Sequence, residues 1–123
     1  MEKPHKKLDV WQLAMAVAKT IYDLTRRFPE EERYGLVSQM RRAAVSIPCN
    51  IAEGAARQGR KEFRNFLSVA QGSLSELDTQ LELSERLGYI RSNEIQSLEA
   101  ELRRVDKMLT ALIRSLSRGT AHG

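Results

Sequence analysis

Histidine is scarce and badly placed for chemistry: the chain has two, His5 and His122, each close to an end. That leaves out a Glu-x-x-His di-iron bundle, most zinc sites and any histidine-dependent triad. Cysteine occurs once, at Cys49, so no internal disulfide forms, which fits a reducing cytoplasm. With no histidine in the body of the chain to activate it, Cys49 is expected as a small buried hydrophobe. Glycine never clusters into a phosphate-binding loop. Aromatic residues are few, one tryptophan, three tyrosines and three phenylalanines, and none alternates with basic residues as a single-strand stacking platform would. Trp11, Tyr22, Tyr34 and Tyr89 are therefore expected as core or staple residues with wet polar tips. Long apolar runs are missing too, none approaching the roughly 20 residues that cross a bilayer. These absences argue against an enzyme, a metal or other cofactor, and a membrane span.

What is present is helix-forming sequence in one domain's length. Of 123 residues, 41% are hydrophobic and 29% charged, a balance that folds. Lys3, Lys6 and Lys7 ahead of "LDVWQLAMAVA" imitate a signal peptide with an Ala16-Val17-Ala18 cleavage site. Asp9 and Gln12 interrupt that run, however, and its period continues through Ile21, Leu24 and Phe28. We expect a first helix there, preceded by a flexible tail over residues 1–8.

Apolar residues recur at alternating spacings of three and four in four successive stretches. The first, with Asp9 as N-cap candidate, carries Val10, Ala14, Val17, Ile21, Leu24 and Phe28 and stops at Pro29. The second, over about residues 31–57, carries Val37, Met40, Ala44, Ile47, Ile51 and Gly54, with Glu30, Glu31 and Glu32 complementing its dipole. The third, from about Arg60, carries Phe63, Leu67, Ala70, Leu74, Leu77, Leu81 and Ser84 and ends at Gly88 as a left-handed C-cap. The fourth opens on Asn93 and Gln96 at capping-box spacing and carries Ile95, Leu98, Leu102, Val105, Leu109, Leu112 and Leu116. Short connections between such helices predict an all-α, up-down-up-down antiparallel four-helix bundle over residues 9–117, with a fraying tail at 118–123.

The second helix exceeds the needs of one bundle. Ala43, Val45, Ala52, Ala55 and Ala56 add apolar surface outside its core stripe, and four of these five are alanines that permit close approach of another backbone. We expect it to be covered twice, by its own bundle and by a second copy of the chain through Val45, Pro48, Ala52, Ala55 and Ala56. Pro48 removes one backbone donor, at a cost of about 3 kcal/mol, and predicts a bend, as a tolerated kink or as the shape of a subunit contact. Gln39, Arg42, Ser46, Asn50, Glu53 and Arg57 form a polar stripe that is either a solvated outer face or a lining between subunits.

The net charge is +4. Arg57, Arg60, Lys61 and Arg64 surround the turn between the second and third helices with only Glu62 opposing them, the best anion site in the sequence. Arg41 with Arg42 comes next, then Arg103, Arg104 and Lys107; the alternative is that these residues serve only solubility. Asp78, Glu82 and Glu85 share a helix face, but no second acidic helix faces them, so pairing or solvation explains them better than a metal.

The segments "LDVWQLA", "IYDLT", "YGLVSQMRRAAVSIPCNIAEG" and "FLSVAQGSLSELDTQLELSERLGYI" resemble the four-helix-bundle family encoded by intervening sequences in bacterial 23S ribosomal RNA genes, over roughly residues 8–117. Cys49 stands where that pattern leads us to expect serine. The resemblance implies an antiparallel bundle assembled as a homopentamer, with no established enzymatic activity. The chain is also similar to the accessory protein of diversity-generating retroelements, which implies nucleic acid and a reverse transcriptase as partners. Five copies of a +4 chain would carry about +20, enough to attract RNA or DNA where one chain would not. The expectation is a non-enzymatic, cytoplasmic homo-oligomer binding RNA or DNA through phosphate contacts; the alternative is an adaptor whose partner is another protein.

Overall fold

A computed structural model describes residues 3–120 as four α-helices: α1 Asp9–Thr25, α2 Leu36–Ala55, α3 Arg60–Arg86 and α4 Ser92–Thr120. The heptads account for their packing. Every residue of the first two expected stripes is buried, as are Leu67 to Ser84 of the third and Ile95 to Leu109 of the fourth. Phe63, Leu112 and Leu116 lie half-buried against this core. Each Leu or Ile taken fully from water contributes about 1.5–3 kcal/mol, so one continuous core is the main source of stability.

Polar pairs fix the antiparallel order. Met40 Sδ receives the Ser84 hydroxyl at 3.5 Å, while Ser46 and Ser73 share a hydrogen bond of 2.7 Å, so numbering falls on α3 as it rises on α2. Gln71 donates to Thr110 and Asp106 across α3 and α4, and Arg64 reaches Ser117 farther along the same seam. Arg27 pairs with Glu94, tying the end of α1 to the start of α4 and closing the bundle.

The helix ends depart from the sequence reading in instructive ways. Leu8, not Asp9, is the N-cap of α1, and it has no side chain to cap with; Asp9 opens the first turn, where its charge favours the dipole. The second helix starts at Leu36 rather than near residue 31, because Glu30–Glu32 forms a separate 3₁₀ turn and Gly35 leaves helical geometry at φ −110°, ψ −108°. Glu32 still serves α2, since its Oε1 accepts the Leu36 N–H at 3.3 Å. At α4 the capping carboxylate is Glu94, which accepts the Arg91 N–H at 3.3 Å, instead of the Asn93 and Gln96 pair. Gly88 is as expected: at φ +82° it completes a Schellman motif, with Tyr89 N–H on the Ser84 carbonyl and Gly88 N–H on that of Glu85.

Within the expected tails, the described residues carry regular structure. Pro4–Lys7 forms a 3₁₀ turn that packs against α2, and α4 continues to Thr120. His5 meets Trp11 edge-on at 4.9 Å, and Lys6 offers its carbonyl to Gln12. His122 lies outside the described residues.

α2 also differs in detail from its expected division of faces. Pro48 sits inside a helix that continues on both sides of it, and it is buried within its own chain, so its ring is not a surface offered to a neighbour. Ala43 likewise joins the core of its own protomer. Cys49 is exposed rather than buried, since Ile47, Pro48 and Ile51 take the inward positions around it.

Candidate nucleic-acid interface

The basic residues around the α2–α3 turn do not act as a group. Gly54 lets α3 come so close that a Cβ there would stand 2.9 Å from both Phe63 Cδ1 and Phe66 Cβ. Over this contact Arg57 stacks its guanidinium 5.1 Å from the Phe66 ring and pairs with Glu53 one turn back. Arg64 turns toward α4, donating to Ser117 Oγ at 3.1 Å, with its Nε buried and unpartnered. Arg60 and Lys61 are exposed and make no ion pair among the described residues. Two of the four cations expected at the turn are thus held by the fold, and two face solvent.

At the other end of α2 the structure builds a groove around Arg41 and Arg42, which the sequence reading places second among its basic candidates without foreseeing the groove or its tyrosines. A groove of about 640 Å³ runs along α2 beside the end of α1, lined by Tyr22, Arg33, Tyr34, Val37, Ser38, Arg41, Arg42, Val45 and Ser46. No carboxylate is among these lining residues. Arg41 is anchored: its Nε donates to Thr25 Oγ1 at 2.9 Å, its Nη2 to the Tyr22 carbonyl at 3.3 Å, and its guanidinium lies 4.6 Å from the Tyr22 ring centroid. Arg33 lies 5.5 Å from the Tyr34 ring and meets Glu30, which lines the adjoining hollow, at 3.4 Å. Arg42 is exposed, with no hydrogen bond or ion pair among the described residues. Tyr34 is 86% exposed, a correction to its expected place as a core or staple residue.

The missed signal was legible in part. Tyr34, Ser38, Arg41, Arg42 and Val45 follow helical spacing, and an antiparallel turn brings the end of α1, hence Tyr22, alongside them. Tyr89, by contrast, is a staple: its ring packs 5.2 Å from Phe28 and its hydroxyl donates to Glu32 Oε2 at 2.9 Å. That hydrogen bond, aided by partial burial and the Glu32 charge, raises the Tyr89 pKa above 10.0 because it requires the proton.

The other candidates are dispersed. Arg103 lines a groove between α3 and α4 together with Asp78, Glu99 and Asp106, so its charge is opposed; Arg104 and Lys107 are exposed. Glu82 pairs with Arg86 and Glu85 accepts from Ser92. Among the described residues no three His, Cys, Asp or Glu side chains are grouped to hold a metal, and no helix is long and apolar enough to cross a membrane. Of the expected interface residues, Val45 and Ala56 are exposed and Ala52 and Ala55 half-buried.

An antiparallel four-helix bundle carrying an arginine-lined groove defines the class. The chain belongs to the family of 23S rRNA-intervening sequence proteins, whose pattern it matches over residues 6–111. It is also similar to a solved structure, a protein of unknown function of the S23 ribosomal protein family from Bacteroides thetaiotaomicron, at 27% identity and a TM-score of 0.79. That alignment covers 85% of this chain and 95% of the other. No curated protein matches the chain. Neither the family nor the solved structure indicates an enzymatic family.

Proposed function

We propose that this protein is a non-enzymatic, cytoplasmic homo-oligomer that binds RNA or DNA through phosphate contacts. The observation that carries the reading is the groove along α2, where three arginines converge without a carboxylate among the lining residues. Guanidinium groups so placed suit phosphate oxygens, which they can meet with two parallel hydrogen bonds. Arg42 is the free hand of this site, Arg33 can exchange its exposed Glu30 for a phosphate, and Arg41 holds the wall in place. Arg60 and Lys61, at the start of α3 beyond the far end of α2 and about 20 Å from Arg42 along that helix, extend the same field toward the turn. Arg57 and Arg64 contribute charge from held positions.

Assembly multiplies this weak field. Exposed Ala56, just past the end of α2, and Val69 on α3 at 52% exposure supply apolar surface for a sister chain, while Val45, expected in the same contact, lines the groove; the family resemblance points to five copies. A titration of purified protein against labelled RNA and DNA tests the function: affinity should fall steeply with salt and vary little with sequence. Salt-insensitive or absent binding overturns it. Light scattering tests the assembly, and a mass near 14.0 kDa would contradict it.

A protein-partner reading has one observation in its favour. Leu83 and Leu87 lie exposed one turn apart near the end of α3, where an adaptor could hold a helix, such as one from a reverse transcriptase. Loss of polyanion binding on changing Arg42, Arg60 and Lys61 to glutamine, with the oligomer intact, favours the nucleic-acid reading; retained binding favours the adaptor.

A further inference from the structure

We infer that the α2 groove takes an unstacked base of a single strand, with Tyr34 as its stacking surface and Arg33 and Arg42 on the flanking phosphates. This rests on the nucleic-acid reading above and adds strandedness and a base contact to it.

Phosphate binding alone explains the arginines but not their company. A duplex turns phosphates outward and keeps its base faces stacked inside, so it offers no flat face to a tyrosine ring or to the exposed side chain of Val45. A single strand presents both a charged backbone and flat apolar faces, and the groove has a partner for each. Tyr34 carries its ring almost wholly in solvent, while Arg33 stands beside it at cation–π distance. An arginine on one side and a base on the other would complete a stacked layer around that ring. The Tyr22 ring is engaged differently, since Arg41 occupies it and is itself fixed to Thr25 and to the Tyr22 carbonyl. Tyr22 and Arg41 therefore form the rigid wall, and Tyr34 the open platform. Ser38 and Ser46 add hydroxyls to the lining, and the volume falls within the roughly 300–1,000 Å³ of small-molecule sites, large enough for one nucleotide. An acidic peptide would satisfy the arginines but leave the platform without a partner.

The test uses the full chain with an unstructured, labelled oligouridylate and a blunt duplex of equal length, followed by fluorescence anisotropy. The single strand should bind about tenfold or more tightly than the duplex, and Tyr34→Ala should lower single-strand affinity about 5- to 100-fold, as loss of one stacked base does. Tyr34→Phe should keep most of the affinity. Because stacking releases no counterions, Tyr34→Ala should leave the salt slope unchanged, whereas Arg42→Gln should reduce it by about one. Tyr34 touches little, so circular dichroism should show the variant folded. Salt-dependent binding that ignores strandedness and Tyr34→Ala overturns this inference and leaves phosphate binding standing. Absence of binding to either probe overturns both, and polyglutamate competing as well as oligouridylate overturns the base contact in favour of an acidic peptide.

Discussion

The two ends of the bundle solve the same problem with different materials. Where α1 ends and α4 begins, the loops are tied by carboxylates: Glu94 to Arg27 and to the Arg91 N–H, Glu32 to Tyr89 and to the Leu36 N–H, Glu85 to Ser92. Where α2 turns into α3, closure comes from the bare Gly54 backbone against Phe63 and Phe66, with Arg57 laid over the ring. The difference decides which arginines are free. At the packed end Arg57 and Arg64 are taken into the closure and only Arg60 and Lys61 face solvent, whereas along the groove Arg41 anchors the wall, Arg33 meets an exposed Glu30 and Arg42 stays open. Local density of positive residues is thus a poor guide to a binding surface; what matters is which cations the fold has left unemployed.

The sharpest way to break this contrast is at Gly54. Gly54→Val should cost about 3 kcal/mol or more, since neither the Phe66 Cβ nor the Phe63 carbonyl can give way, and thermal denaturation should show a Tm lower by roughly 10 °C. Next in size is Arg41→Met, which removes two hydrogen bonds and the contact with Tyr22; a loss of about 1–2 kcal/mol in urea unfolding is expected. Binding sharpens the comparison further. Arg42→Gln should weaken single-strand binding about 3- to 10-fold, while Arg57→Gln, whose charge Glu53 already opposes, should change it less than twofold by the same titration. Gly72→Ala is a control for the first experiment: nothing lies within 4 Å of the added Cβ, so Tm should hold or rise, by up to about 1 kcal/mol of helix propensity.

The smallest effect concerns acid. The Arg27 hydrogen bond, then that from the Arg91 N–H, holds the Glu94 carboxyl below its ordinary 4.5. The stability it adds is complete above that value and is lost as pH falls through the lowered pKa. Glu94→Gln should therefore lower Tm at pH 7 by no more than an exposed pair's worth, about 0.2–1 kcal/mol, and by less at pH 3. An equal loss at both values would mean that packing, rather than charge, holds that corner.

The heptads made the bundle readable. The stripes from Val10 to Phe28 and from Val37 to Gly54 are buried residue for residue, and Gly88 closes α3 as its sequence position suggests. Periodicity reports which face is turned inward, and it does so well because core burial dominates the energy. It says little about outer faces. Pro48 and Cys49 are the reverse of what the sequence reading expects: Pro48 is buried and Cys49 exposed. Tyr34 was misread because the 3₁₀ turn at Glu30–Glu32 shifts the start of α2 and leaves the ring outside the core. The groove escaped notice for a related reason: Tyr22 and Tyr34 are twelve residues apart, and only the antiparallel turn makes them neighbours.

A protein assembled from seven-residue repeats carries an ambiguity, because sliding one helix past its neighbour by a full repeat would still pair leucine with leucine. The hydroxyls of Ser46 and Ser73, bonded to each other at 2.7 Å while the Asn50 amide holds the Ser46 hydroxyl within α2 at 2.9 Å, break that degeneracy. Displaced by one repeat, Ser73 would meet Gln39 or Glu53 and Ser46 would meet Phe66 or Gln80, and the short serine–serine hydrogen bond would be lost. Two small hydroxyls thus act as a vernier mark for α2 on α3, converting a periodic interface into one with a single correct alignment.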